Sequence, residues 1–127
     1  MKTKNAIADK SITEILDDKK LESAVNREID RLLNLYGIYH WSNNSGAVKK
    51  GKSKRPIKFG KPGSSDWLGI CPDGRFLAIE SKRPVGGVTS DLQKQFLDRI
   101  NSDGGVGIVA RSAVECYEKL KEAGVIK

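Results

Sequence analysis

The stretch GSSDWLGICPDGRFLAIESK, Gly63 to Lys82, decides how the rest of the chain is interpreted. Two apolar runs flank Pro72-Asp73-Gly74. Proline suits the first central position of a type I turn, and glycine suits the left-handed position after it. Together they specify a three-residue hairpin loop with a G1 bulge. The strands are expected over Asp66 to Cys71 and Arg75 to Lys82. If Cys71 pairs with Arg75, counting five residues outward on each side places Asp66 opposite Glu80. Opposed side chains on one face of an antiparallel pair have Cβ atoms about 4.5–5.5 Å apart.

Two like charges at that spacing destabilise the end of an apolar hairpin. A shared proton, a basic side chain or a bound cation would relieve them. Lys82 lies two residues beyond Glu80 and projects to the same face. One ammonium does not balance two converging carboxylates, whereas hard divalent cations such as Mg²⁺ take carboxylate oxygens readily. Taken singly, these residues have ordinary uses. Asp66 suits a turn after Ser64-Ser65, and Glu80 can pair with Lys82.

The chain has 127 residues, enough for one domain that buries roughly two-thirds of its unfolded surface. No apolar run approaches membrane-spanning length, and MKTKNAIADK at the start has no signal-peptide core. The expectation is an intracellular, cytoplasmic protein with no membrane partner. Cys71 and Cys116 are far apart and His40 is the only histidine, so a thiolate or imidazole metal site is disfavoured and reduced thiols are the default.

The net charge of +7 comes from one segment. Between Asp30 and Asp66 there is no acidic residue, but there are eight basic ones: Arg31, Lys49, Lys50, Lys52, Lys54, Arg55, Lys58 and Lys61. Without these 8 of the 23 Lys and Arg, 15 remain against 16 Asp and Glu. A localised basic stretch is the footprint of a polyanion partner, though a lysine-rich loop also serves solubility. The seven from Lys49 to Lys61 are the candidate nucleic-acid contacts.

Outside the hairpin the pattern alternates between helix and strand. Residues 1–20 are polar around Ile12, Ile15 and Leu16, and are expected to form an arm outside a single domain of residues 21–127. From Leu21 to Tyr36 the apolar period is helical, with Leu21, Val25, Ile29, Leu32 and Tyr36 on one face and Gly37 as the terminator. Glu22 and Glu28 both fall within the apolar arc, so either could face the sheet. Glu22 also suits a helix first turn on dipole grounds. Ile38 to Ser42 reads as a strand. Asn43 to Gly63 reads as a loop or loose hairpin, with Pro56 to Phe59 as a second arm. Ser90-Asp91-Leu92-Gln93 has the form of a capping box, which by itself accounts for Gln93. Leu92, Phe96, Leu97 and Ile100 mark the helix that follows. Val106 to Ala110 has the continuous hydrophobicity of a buried parallel strand. Ser112-Ala113-Val114-Glu115 has the form of a second capping box, opening a last helix. The class is α/β, a mixed central sheet flanked by helices.

Asp66, a hairpin, then Glu80-Ser81-Lys82 is similar to the D…ExK core of the PD-(D/E)xK nuclease superfamily. With NNSGAV (Asn43 to Val48), KFGKPGSSDWLGI (Lys58 to Ile70), AIESKRPVGGVTSDLQKQF (Ala78 to Phe96) and GGVGIVARS (Gly104 to Ser112), the chain resembles the VRR-NUC family of small stand-alone viral and bacterial nucleases over about residues 21–122. Ser65 stands where the superfamily name has proline. The resemblance implies a restriction-endonuclease-like core and a Mg²⁺- or Mn²⁺-dependent DNA nuclease, a homodimer acting on branched DNA such as Holliday junctions. It implies Asp66, Glu80 and the Ser81 carbonyl as metal ligands, Lys82 as the residue that orients or activates water, Gln93 near the active site, and Glu22 rather than Glu28 as the helical carboxylate. A viral protein in a host cell fits this type. Two rival functions remain: a monomeric nuclease for linear or flapped DNA, and a non-catalytic DNA-binding module. Trp41 and Trp67 are candidates for DNA contact, but core packing is the expectation for both.

Overall fold

Cys71 and Arg75 close the central hairpin. The Cys71 N–H donates to the Arg75 carbonyl at 2.8 Å and the Gly74 N–H to the Cys71 carbonyl at 2.8 Å. Gly74 has φ +92°, the left-handed conformation that the turn requires and that side chains resist. These are features of a computed structural model that describes residues 12, 20–43, 46–49 and 56–127. The elements are α1 (Glu22–Leu35), β1 (Tyr39–Ser42), β2 (Gly46–Lys49), β3 (Pro56–Phe59), β4 (Trp67–Ile70), β5 (Phe76–Ser81), α2 (Asp91–Ser102), β6 (Val106–Ala110) and α3 (Ala113–Glu122).

The main sheet has the order β1-β4-β5-β6. β4 pairs antiparallel with β5 in the expected register, Trp67 with Ile79 and Ile70 with Phe76. β1 runs antiparallel to β4. β6 returns parallel to β5, with α2 as the crossover. This is the mixed α/β sheet that the pattern predicted, with three helices around it. Within the Asn43–Gly63 segment, β2 and β3 form a separate antiparallel hairpin that pairs Gly46 with Phe59 and Lys49 with Pro56. Pro56 to Phe59 is therefore the second arm, and Gly46 to Lys49 is the first. The expected N-terminal arm lies outside the described residues except at residues 12 and 20.

Strand alternation sorts the two faces of the sheet. Leu77 and Ile79 of β5, with Val106 and Ala110 of β6, pack against Val25, Ile29 and Leu33 of α1 and Cys116 and Leu120 of α3. The buried stripe of α1 is therefore Val25-Ile29-Leu33. Leu21 and Tyr36, expected on that face, cap the helix from outside its hydrogen-bonded body and are exposed. α2 lies over the opposite face, across β5 and β6. A Cβ on Gly107 would sit 3.0 Å from the Leu97 carbonyl, so glycine there lets α2 approach the sheet. The free thiols of Cys71 and Cys116 are buried; burial pushes the Cys116 thiol up to about 12. Among the described residues no helix is long and apolar enough to cross a membrane.

Both N-caps form, with one difference. At α2 the capping box is complete. At α3, Ser112 Oγ accepts from the Glu115 N–H at 3.0 Å, but the Glu115 carboxylate accepts from the Arg111 N–H at 2.9 Å instead of closing on Ser112.

Gly107→Val should destabilise the fold by about 1–3 kcal/mol, because a backbone carbonyl cannot move aside as a side-chain tip can. Urea denaturation measures it. An unchanged midpoint would mean that α2 is not held by this close approach.

Candidate metal centre

Asp66 stands one residue before β4, where the chain is already clamped. Its carbonyl accepts from the Asn43 N–H at 2.7 Å, continuing the β1–β4 ladder. The Asn43 amide nitrogen also donates to Ser64 Oγ at 2.7 Å and to the Ser65 carbonyl at 2.9 Å. Asp66 Oδ2 accepts from the Ser81 N–H at 2.8 Å, across the hairpin. Glu80 lies within the buried run of β5 and is 2 % exposed. Carboxylate oxygens of Glu22, Asp66 and Glu80 lie within 4.8 Å of one another. Glu22 comes from the first turn of α1, where the helix dipole favours negative charge. Glu28, the other candidate on that helix, instead pairs with Lys20 at 2.7 Å.

Gln93 serves two structures at once. Its Oε1 accepts from the Ser90 N–H at 2.9 Å as the reciprocal half of the capping box, and from Lys82 Nζ at 3.0 Å. Two donors on one oxygen settle the amide orientation, because a flipped amide would oppose NH₂ to both. Nε2 is thereby turned to Glu80 Oε1, to which it donates at 2.7 Å. Lys82 Nζ is also 3.4 Å from Glu80 Oε1. The capping role expected of Gln93 and its place beside the carboxylates are one geometry.

Glu80 Oε2 is left without a hydrogen-bond partner, and so are the buried hydroxyls of the neighbouring Ser65 and Ser81. A buried, unpartnered carboxylate oxygen is costly unless something else meets it. The two central carboxyls show the strain. Burial pushes Glu80 up to about 7, with the Asp66 charge adding to it and Lys82 opposing it. Burial also raises Asp66, against the Ser81 N–H and Lys82. Oxygen donors alone, converging with one orphaned oxygen, suit a hard divalent cation better than a soft one. His40 is no competitor as a ligand, since its ring nitrogens engage Asp30 at 2.6 Å and the Ile38 carbonyl at 2.7 Å.

A cleft of about 490 Å³ opens beside the group, lined by Glu22, Ser23, Lys82, Arg83, Gly87 and Val88 among others. The larger cleft of about 570 Å³, between α2, β6 and α3, contains none of these residues. Arg111 holds the near wall, its guanidinium donating to the Arg83 carbonyl at 3.1 Å and the Gly87 carbonyl at 2.7 Å. Neither Arg111 nor the Asn43 clamp was picked out from the sequence. Both act through backbone carbonyls of distant loops, which leave no residue pattern to detect.

The structure thus brings Glu22, Asp66, Glu80, Ser81, Lys82 and Gln93 together. Of the basic candidates, Lys61 is described and exposed, and Lys49 and Lys58 lie on β2 and β3. Lys50, Lys52, Lys54 and Arg55 lie outside the described residues. No protein-family model, curated protein or solved structure matches the chain.

A carboxyl raised in the folded state stabilises the fold fully below its unfolded value, near 4.5 for Glu80, and that contribution is lost as pH rises through about 7. Glu80→Gln copies the protonated form permanently. In metal-free buffer it should exceed the parent at pH 8 by on the order of 2 kcal/mol, with the gap closing below about pH 4.5. Urea denaturation across pH measures this, and a variant no more stable than the parent at pH 8 would refute the buried-charge account.

Proposed function

We propose that this chain is a Mg²⁺- or Mn²⁺-dependent endodeoxyribonuclease on a restriction-endonuclease-like core, of the VRR-NUC kind its motifs resemble, selective for branched DNA such as four-way junctions. The observation that carries this reading is the convergence of Glu22, Asp66 and Glu80 with a buried, unpartnered Glu80 oxygen beside Lys82. The three carboxylates, with the Ser81 carbonyl, would hold the cation. Once held, the cation supplies Lewis acidity towards the phosphate and towards water.

The remaining roles belong to the chain's own groups. An ammonium has three donors. Gln93 Oε1 and Glu80 Oε1 engage Lys82 at 3.0 and 3.4 Å, which leaves one donor for a phosphate oxygen or an attacking water. Gln93 keeps that ammonium in place, because its own amide is fixed by the Ser90 cap. The Ser81 N–H holds Asp66 in the orientation that converges on Glu80. The basic residues from Lys49 to Lys61 grip flanking phosphates, which gives affinity and orientation but no base readout. A two-fold symmetric junction needs two cutting centres, so this reading carries a homodimer with it.

Purified protein with Mg²⁺ should make paired cuts in a four-way junction in preference to linear duplex of the same sequence. Asp66→Asn and Glu80→Gln should each lower the rate about 100-fold or more, while gel-shift binding in Ca²⁺ persists. Binding without cleavage by the parent would leave a DNA-binding module. Equal cutting of linear DNA by a monomer would leave a nuclease without junction selectivity.

A further inference from the structure

Among the described residues, half of one sheet face is bare. α2 covers β5 and β6 on the face opposite α1 and α3, and no described element covers β1 and β4 on that side. Strand alternation places Tyr39, Trp41, Leu68, Ile70 and Phe76 there: Tyr39 opposes Ile70, Trp41 opposes Leu68, and Ile70 opposes Phe76. Tyr39 is 68 % exposed, Trp41 41 %, Ile70 44 % and Phe76 39 %. Trp41 was expected in the core. It is exposed because its strand lies beyond the reach of α2. The Tyr39 and Trp41 rings meet edge-on, 5.7 Å between centroids, as an ordered aromatic pair.

Glu80 and Lys82 project to this same face. Trp41 is two residues from Asn43, whose N–H bonds the Asp66 carbonyl, so the aromatic pair begins one pleat from the carboxylates. Charge is contributed from the same direction. The segment leaving the basic hairpin passes against α2, where a Cβ on Gly63 would sit 2.6 Å from the Leu92 backbone, and exposed Lys61 stands beside Leu92 in a cleft of about 460 Å³. Aromatic platforms beside a basic track are the means by which single-stranded nucleic acid is held without sequence preference.

We propose that the Trp41–Tyr39 shelf stacks unpaired DNA bases next to the phosphate held at the carboxylate centre. The inference rests on the DNA reading above and narrows its substrate class to DNA whose bases are already splayed, at a junction, fork or flap. In uniform duplex the bases are stacked on one another and the shelf has nothing to receive. Trp41 is the main platform and Tyr39 extends it away from the cut.

The test uses binding, so it is independent of cleavage. Oligo-dT of about 15 nucleotides and a blunt duplex of the same length are titrated in Ca²⁺ into the parent, Trp41→Ala, Trp41→Phe and Tyr39→Ala. Trp67 is the internal reference, since it packs on the other face with its indole N–H on Asn26 at 2.8 Å. Oligo-dT should quench the parent's emission and leave Trp41→Phe unquenched. Trp41→Ala should lose about tenfold or more in affinity for oligo-dT, with Trp41→Phe close to the parent and duplex affinity unchanged. Oligo-dT affinity unaffected by Trp41→Ala would overturn the proposal. So would an equal loss on duplex, or a dimer that falls to monomers with DNA affinity intact, which would assign the shelf to contact between copies. If Trp41→Ala does not fold, the quenching comparison with Trp41→Phe decides. A parent that binds and quenches as described but cuts nothing would remove the nuclease reading and keep this one.

Discussion

Everything at the centre depends on one constraint: the hairpin register that sets Asp66 against Glu80. Turn chemistry at Pro72-Asp73-Gly74 imposes it, and the Cys71–Arg75 closure transmits it outward through the β4–β5 ladder. A slip of one residue would send Glu80 to the core face and Ile79 to the α2 face, exchanging an isoleucine for a carboxylate among Val25, Ile29 and Leu120. The apolar core therefore enforces the register that the carboxylates need, while those carboxylates, buried and close, work against folding. Glu80 pushed up to about 7 is the measure of that opposition. The opposition is borne by groups whose positions are otherwise over-determined: the Asn43 clamp on one side, the α2 cap on the other.

The cap illustrates how little freedom the site has. Ser90, Gln93, Lys82 and Glu80 form a chain in which each hydrogen bond dictates the next. Helix capping supplies a fixed acceptor. That acceptor orients an ammonium, and the same amide turns its nitrogen to a carboxylate. A capping residue is ordinarily worth about 1 kcal/mol of helix stability. Here it also determines where the only buried lysine in the described residues stands.

What was legible in the sequence was local or counted from something local. The hairpin register, Gly37 and Gly74 at positive φ, the Ser90 box and the parallel β6 all follow from turn residues, caps and short-range periodicity. The choice between Glu22 and Glu28 was not legible. A helical wheel ranks both within one arc, and only the packing of the first turn of α1 over the sheet end separates them. Trp41 was misplaced for a similar reason. Alternation in a four-residue strand says which side chains share a face, but whether that face is covered depends on α2, fifty residues further along the chain. The first arm of the basic hairpin, Gly46 to Lys49, lay hidden in a segment whose Gly, Ser and Lys content resembles a loop.

The uneven coverage of the sheet is what makes the site accessible. The three helices of the described elements leave part of one face of the four strands uncovered, and α2, as the β5–β6 crossover, lies over that pair. The carboxylates sit at the boundary between the covered and bare halves. Burial on one side and the hydrogen bonds among Glu80, Lys82 and Gln93 fix the group, and openness on the other leaves it reachable from solvent. A centre buried on all sides would satisfy the same geometry and admit only small ligands. A centre on the bare half alone would leave its carboxylates hydrated, each close to its ordinary pKa, with no buried unpartnered oxygen. Placement at the edge of α2 is the compromise between preorganisation and access, and it follows from the strand order β1-β4-β5-β6 together with a single crossover helix.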